Sequence, residues 1–184
     1  MTNTSEPQNE VANIRAAQAG STEAFTRLVE IYDRRLLYFV RRLMSDEQGA
    51  FDVLQFVWLS VFRRINKLRS PDAFRPWVYR IAHDCAVSEL RRRGKRLEVS
   101  LDSQREPLPD ERPSDEHVFD QIELVYRGLN ELSFEHRRVL TLTFLEDMSV
   151  EQTAEIIGSQ PGTVKSRLHY AKTALRLWIE DQES

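Results

Sequence analysis

The sequence predicts an all-α protein: two small helical domains joined by an acidic flexible linker. Three observations lead there. Apolar residues recur at helical spacing along most of the chain, and no stretch alternates as a strand would. That periodicity fails over residues 95–116, where Pro107, Pro109 and Pro113 appear in a polar context that cannot bury a core. Six glycines and seven prolines in 184 residues are too few for a turn-dense β architecture. The predicted layout is a polar N-terminal segment (1–20), a first domain (21–96), the linker (97–117) and a second domain (118–184).

In chain order, Met1 to Glu10 is polar rather than an apolar leader. Phe25, Leu28, Val29, Tyr32, Leu36, Val40 and Leu43 form a first apolar stripe. Leu54, Val57, Trp58, Val61, Phe62, Ile65 and Leu68 form a second. A short connection from Arg69 to Ala73 carries Ser70-Pro71-Asp72. Phe74, Trp77, Val78, Ile81 and Cys85 form a third stripe on a helix entering Arg91-Arg92-Arg93, which Gly94 is expected to stop. Beyond the linker, periodicity resumes at Val118, Ile122, Val125, Leu129 and Leu132, runs through Val139 to Leu145 and starts again at Val150. A domain this small is marginally stable alone.

The net charge of −3 conceals a strong pattern. From Arg63 to Arg96 there are eleven Lys/Arg against three Asp/Glu; from Leu97 to Asp120, eight acidic residues against two basic. Thr163 to Arg176 carries Lys165, Arg167, Lys172 and Arg176 with no acid. Two basic regions flanking an acidic spacer suggest two polyanion-binding units on one tether.

Several classes are excluded by what the sequence lacks. No run approaches the roughly 18 apolar residues of a membrane span, so no membrane insertion is expected. One cysteine, Cys85, cannot build a disulfide framework, and with His83 supplies too few ligands for a metal. It reads as a small core residue. Phosphate-cradling glycine loops, zinc-protease motifs and nucleophile elbows are all missing, so no catalytic residues, metal or cofactor are assigned and the protein is not read as an enzyme. A reducing, cytoplasmic compartment is expected.

The most informative stretch is Ser149 to Trp178. Ser149 with Gln152 three residues on fits a capping box. Ala154 is small where two helices must cross, Gly158 supplies a residue tolerant of positive φ, and Pro161 suits a first helical turn. Val164 would then plug the second helix onto the first, which is the spacing of a helix-turn-helix. Val164, Leu168, Ala171, Leu175 and Trp178 point inward, leaving Thr163, Lys165, Ser166, Arg167, His169, Tyr170 and Lys172 outward.

Glu135-His136-Arg137-Arg138-Val139-Leu140, Leu145-Glu146-Asp147-Met148-Ser149 and Pro161-Gly162-Thr163-Val164-Lys165-Ser166-Arg167-Leu168 resemble region 4 of bacterial sigma factors of the extracytoplasmic-function group. Ala24-Phe25 through Tyr32 resembles region 2.1, and Asp52-Val53-Leu54-Gln55 region 2.2. Phe74-Arg75-Pro76-Trp77-Val78-Tyr79-Arg80-Ile81-Ala82 with the following arginines resembles regions 2.3 and 2.4. The resemblance covers residues 20–96 and 118–178.

The resemblance implies that the first domain binds the clamp of core RNA polymerase and opens the −10 promoter element. The second would meet the polymerase flap and read the −35 element. The partners implied are core RNA polymerase (β′ and β subunits), promoter DNA and an anti-sigma factor, in a bacterial cytoplasm. Carried over, the −35 contacts fall on Thr163, Lys165, Ser166, Arg167, His169, Tyr170, Lys172 and Arg176. The −10 contacts fall on Lys67, Arg69, Ser70, Asp72, Trp77, Arg80, Asp84, Val87, Arg91, Arg92 and Arg93; for Trp77, packing in the core competes with stacking on a base. The polymerase contacts fall on Asp52, Gln55 and Phe56.

Three positions depart from the family pattern. Phe56 stands where an acidic residue is common, Asp84 where asparagine is frequent, and Tyr170 where a basic residue is usual. An altered clamp contact and an altered −10 preference are therefore expected. The acidic linker is expected either to mimic RNA in the polymerase exit path or to act as a plain tether. The competing function is a helix-turn-helix regulator that binds duplex DNA without joining polymerase.

Overall fold

The computed structural model describes residues 5–44, 47–97 and 116–182, and among these every regular element is helical. Four α-helices form the first unit: α1 (Ser5–Gln18), α2 (Thr22–Met44), α3 (Glu47–Arg64) and α4 (Phe74–Leu97). Short 3-10 turns over Ile65–Lys67 and Pro71–Ala73 join α3 to α4. The second unit holds α5 (Glu116–Glu131), α6 (Phe134–Leu140), a π turn (Thr141–Leu145), α7 (Val150–Ile157) and α8 (Pro161–Gln182).

The apolar stripes of α2, α3 and α4 meet in one core. Leu28, Leu36 and Val40 from α2, Val57 and Val61 from α3, and Phe74 and Val78 from α4 are all fully buried. Aromatic rings lock the crossings edge to face: Tyr32 against Phe74 and Phe39 against Tyr79, each 5.3 Å between ring centres. Phe62 departs from its predicted core role and is 57% exposed. Val53, one residue before the predicted stripe, is buried in its stead, so the buried face of α3 is rotated toward Val53 and Ala50.

Two boundaries differ from expectation. Residues 1–20 are not all a peripheral segment, because Ile14 is fully buried and Ala17 nearly so against the bundle. The Tyr32 hydroxyl also donates to Glu10 Oε1 at 2.6 Å, tying α1 to α2. Gly94 does not end α4, which continues to Leu97. A stop there needs a left-handed glycine, and the only glycines with positive φ among the described residues are Gly20 and Gly158. Most of the 97–117 linker lies outside the described residues, as do the side chains of Lys95 and Arg96.

The larger difference is that the two units pack together. α7 lies along α4 and α6 against α2, so the buried apolar residues form one continuous cluster. A domain too small to be robust alone thereby borrows core from its neighbour.

Candidate nucleic-acid interface

The second unit builds its helix-turn-helix as its local sequence dictates. Ser149 Oγ accepts from the Gln152 amide at 3.1 Å while Gln152 Oε1 accepts from the Ser149 amide at 2.9 Å, completing both halves of the capping box. α7 ends at Gly158, whose φ of 65° is left-handed and open to glycine without cost. Pro161 then opens α8. Val164 and Ala171 are fully buried, Leu168 nearly so, and Leu175 and Trp178 pack at the edge of the core.

Thr163, Lys165, Ser166, His169, Tyr170, Lys172 and Arg176 are all exposed on the outer face of α8. The Tyr170 ring meets His169 edge to face at 5.4 Å, and the Lys172 ammonium sits 4.8 Å above the Phe144 ring. Arg176 pairs with Glu180 at 3.5 Å. Arg167 is the exception to the predicted outward set. It turns back to Glu135 at 2.7 Å, is only 28% exposed, and leaves Nη1 buried without a partner. Glu135 also receives Arg138 at 2.5 Å, an arrangement that sequence spacing could not show because Glu135 and Arg167 lie on different helices.

The first unit presents the −10 candidates on α4 and the turn before it. Arg80, Asp84, Arg91 and Arg92 are exposed, and Val87 and Arg93 are half-buried. Trp77 is half-buried beside Phe74, with ring centres 6.0 Å apart. Lys67, Arg69, Ser70 and Asp72 are exposed on the connecting turns. A residue not assigned from sequence positions those turns: Gln18 Nε2 at the end of α1 donates to the carbonyls of Ile65 at 3.0 Å and Leu68 at 2.7 Å. Glu89 is a second such residue. It accepts two hydrogen bonds from Arg92 and one from Arg93, all at 2.7–2.8 Å. Hydrogen bonding from Arg92, reinforced by Arg93, holds its carboxyl down to about 2.

On α3, Asp52, Gln55 and Phe56 share an exposed face, with Phe56 63% exposed. Leu59 and Phe62 continue it at helical spacing, so the surface is apolar beyond its acidic start. Isolated exposed apolar residues mean little, but a contiguous row makes this face a candidate docking surface.

Where the units meet, polar groups are buried with partners from both. Tyr79 donates its hydroxyl to Glu146 Oε2, Arg75 donates to the Glu146 carbonyl, and Arg35 Nε lies 3.5 Å from the same carboxylate. Burial pushes the Glu146 carboxyl up, and burial with the neighbouring carboxylate pushes the Tyr79 phenol up. Arg137 Nη1 donates to the Arg42 carbonyl at 3.2 Å, and the Arg42 guanidinium stacks 3.8 Å from the Tyr126 ring centre. Arg138 Nη1 lies 3.2 Å from His83 Nε2. A guanidinium only donates, so His83 accepts there, is neutral, and carries its proton on Nδ1 beside Asp84 Oδ1 at 3.3 Å. Burial lowers its pKa, and Arg138 adds to that.

No helix among the described residues is long and apolar enough to cross a membrane, and no cluster of three or more metal-ligating side chains occurs among them.

Comparisons with known proteins follow the same two units. Residues 28–96 match the Sigma-70 region 2 family model and residues 122–175 the Sigma-70, region 4 model. The chain is 31% identical over 172 residues to the RNA polymerase sigma-H factor of Pseudomonas aeruginosa, covering 88% of this chain and 89% of that protein. It is 30% identical over 176 residues to the ECF RNA polymerase sigma factor SigL of Mycobacterium tuberculosis, covering 93% of this chain and 97% of that protein. The fold is shared with the sigma factor RpoE of Bartonella quintana in its complex with the anti-sigma factor NepR. The TM-score there is 0.76 at 21% identity, over 86% of this chain and 98% of that one. CnrH in complex with the cytosolic domain of CnrY gives a TM-score of 0.67 at 22% identity, over 96% and 99% of the two chains.

Proposed function

This chain belongs to the extracytoplasmic-function sigma factors of bacterial RNA polymerase, and from that premise we propose that it joins core polymerase, reads −35 and −10 elements and opens the −10 duplex for a specific set of promoters. One observation carries the proposal: two separately built cationic helices, α4 and α8, stand on one chain with an exposed docking row on α3. A lone DNA-binding regulator needs only α7 and α8.

The roles follow from chemistry. α8 enters the major groove with Thr163, Lys165, Ser166, Arg167 and His169 toward base edges and phosphates, while Lys172 and Arg176 hold backbone. Tyr170, exposed and uncharged, offers stacking or a hydroxyl where a phosphate-binding cation would otherwise stand. On the first unit, an unstacked base of the non-template strand is held against Arg80, Asp84, Val87 and the 67–72 turns. The base loses stacking and regains contacts, so no nucleotide hydrolysis is required. Asp84 adds repulsion toward phosphate and removes a donor, which shifts base preference. Arg91, Arg92 and Arg93 grip phosphates.

Phe56, Leu59 and Phe62 extend the Asp52–Gln55 face with apolar area. The polymerase contact is therefore proposed to rest on desolvation rather than on an added charge. Truncating Phe56 to alanine is expected to weaken core binding by about 1 kcal/mol or more. A protein anti-sigma factor is proposed as a further partner, as RpoE has in its solved complex, and action in the cytoplasm as a non-catalytic subunit of polymerase.

The experiment is run-off transcription with this chain, core polymerase from its own bacterium and fragmented genomic DNA. Discrete transcripts that need this protein are expected, and their start sites give both promoter elements. If folded protein and active core yield none, while the chain alone footprints duplex DNA, the regulator reading replaces this one.

A further inference from the structure

The seam between the units runs along α4, the helix that carries most of the −10 candidates, and leaves the outward candidates of α8 exposed. α7 packs directly on α4, and α8 packs on α7, so the two DNA-reading helices are separated by a single helix. At 8–10 Å per helix contact, that places them roughly 20 Å apart. Elements centred near −35 and −10 lie about 25 base pairs apart, roughly 85 Å along B-form DNA at about 3.4 Å per pair. The compact form cannot span them. The chain must open by parting α7 from α4, and the linker allows this, since its roughly 20 residues reach up to about 70 Å when extended.

Closure also engages one −10 candidate directly. Arg80 Nη1 lies 3.6 Å from Glu155 Oε1 of α7, which neutralises a cation on the proposed base-capturing stripe. The centre of the seam is Glu146, whose side chain is 7% exposed. It is anchored through both side chain and backbone: the carboxylate to Tyr79 and Arg35, the carbonyl to Arg75. Asp147 beside it holds a positive φ of 49°, which aspartate tolerates better than most residues, and Met148 beyond it is buried. The turn thus seats Glu146 on the first unit while keeping its own chain in the core of the second.

We infer that Glu146 is an intramolecular latch: inserted between Arg35, Arg75 and Tyr79, it holds the second unit on the −10-reading helix and keeps the free chain off promoters. The inference rests on the sigma-factor reading for what closure prevents, but the closure is a property of the chain alone. Opening exposes a notch with two guanidinium groups and a phenol, so joining polymerase must supply the free energy that parts the units. The pairing is reciprocal: whatever stabilises the closed form weakens polymerase binding by the same factor.

The test uses the full chain with Cys85 replaced by alanine and dyes at cysteines substituted for Glu30 and Glu151, exposed sites on α2 and α7. Energy transfer is read in the free chain and after adding core polymerase. High transfer that collapses on polymerase addition is expected for the unlatched-by-binding scheme. Glu146→Ala should lower transfer without polymerase and raise affinity for a single-stranded −10 oligonucleotide several-fold. Because Glu146→Ala could loosen the second unit itself, Arg75→Ala attacks the same latch from the other side, with circular dichroism confirming that each variant is folded. Low transfer in the free wild-type chain, or unchanged transfer in both folded variants, overturns the latch. Run-off activity is scored separately: a transcribing wild type with unmoved variants removes the latch and leaves the sigma reading, whereas a latch that opens in a chain without activity does the reverse.

Discussion

At the scale of single residues, the sharpest departures from a linear reading are arginines that already hold a partner. Sequence spacing places Arg167 outward on α8, yet in the free chain it pairs with Glu135 and must swing to make the proposed DNA contact. Arg167→Ala in the reconstituted holoenzyme is expected to cost roughly 1–3 kcal/mol at a cognate −35 element and to relax specificity at one base pair, read by competition gel shift. Undiminished discrimination would mean that another residue reads that base. Arg92 and Arg93 are likewise held by Glu89. Glu89→Gln removes one negative charge among predicted phosphate contacts, so DNA affinity should rise and the log–log salt slope steepen by about 0.9 per phosphate gained. A slope identical to wild type would place these arginines away from DNA. Neither pairing was legible beforehand: Arg167 and Glu135 meet across helices, and the Glu89 contacts, though local, compete with solvation in a way that spacing does not decide.

Among the helical elements, the helix-turn-helix was readable because its signals are local. The capping box, the left-handed Gly158 and the buried Val164 are all set within a few residues of chain. Ser149→Ala should therefore lower stability by about 1 kcal/mol in a thermal or urea melt of the full chain, with no change in its far-ultraviolet spectrum when folded. Gly128 is the opposite case. A Cβ there would sit 2.6 Å from Leu175 Cδ1 and 2.7 Å from Trp178 Cε3, so any side chain at this position forces those two side chains to shift. Gly128→Ala is expected to cost about 1–3 kcal/mol through overpacking; a neutral result would show that Leu175 and Trp178 readily repack. Gly94 illustrates why type alone misleads. Without a left-handed backbone to require it, a glycine inside a helix is only a local weakness, and α4 runs past it.

For the whole molecule, docking of the two units is what the chain's order most conceals, and it should depend on pH. His83 is neutral at the seam, with Arg138 and Glu135 facing it from α6 and Asp84 beside it on α4. Its pKa is lowered from 6.5, so the undocked or unfolded chain takes up the proton first. Its contribution is therefore fully present above about 6.5 and is lost as pH falls through that value toward the lowered one. Glu146 acts with opposite sign. Its pKa is raised from 4.5, so its contribution weakens as pH rises through the window above 4.5. Replacing His83 with glutamine should abolish the acid-side loss of inter-unit energy transfer below 6.5 and leave only the Glu146 slope. Parallel pH profiles for wild type and His83→Gln would show that the imidazole does not report on docking.

The sequence by itself determined the helical class, the helix-turn-helix and the exposed faces of α4 and most of α8. Each of these depends on periodicity, charge runs or capping chemistry that acts over a few residues. Tertiary structure alone decided that α1 enters the first core through Ile14, that Gln18 holds the turns before α4, and that Arg167 turns inward. It also decided that Glu146, which as a sequence letter looks like any solvated acid, is buried between Arg35, Arg75 and Tyr79. The physical reason is common to all four. A long side chain's partner is set by which helices pack together, and that packing is chosen by apolar area and polar pairing summed over the whole chain, not by its neighbours in sequence.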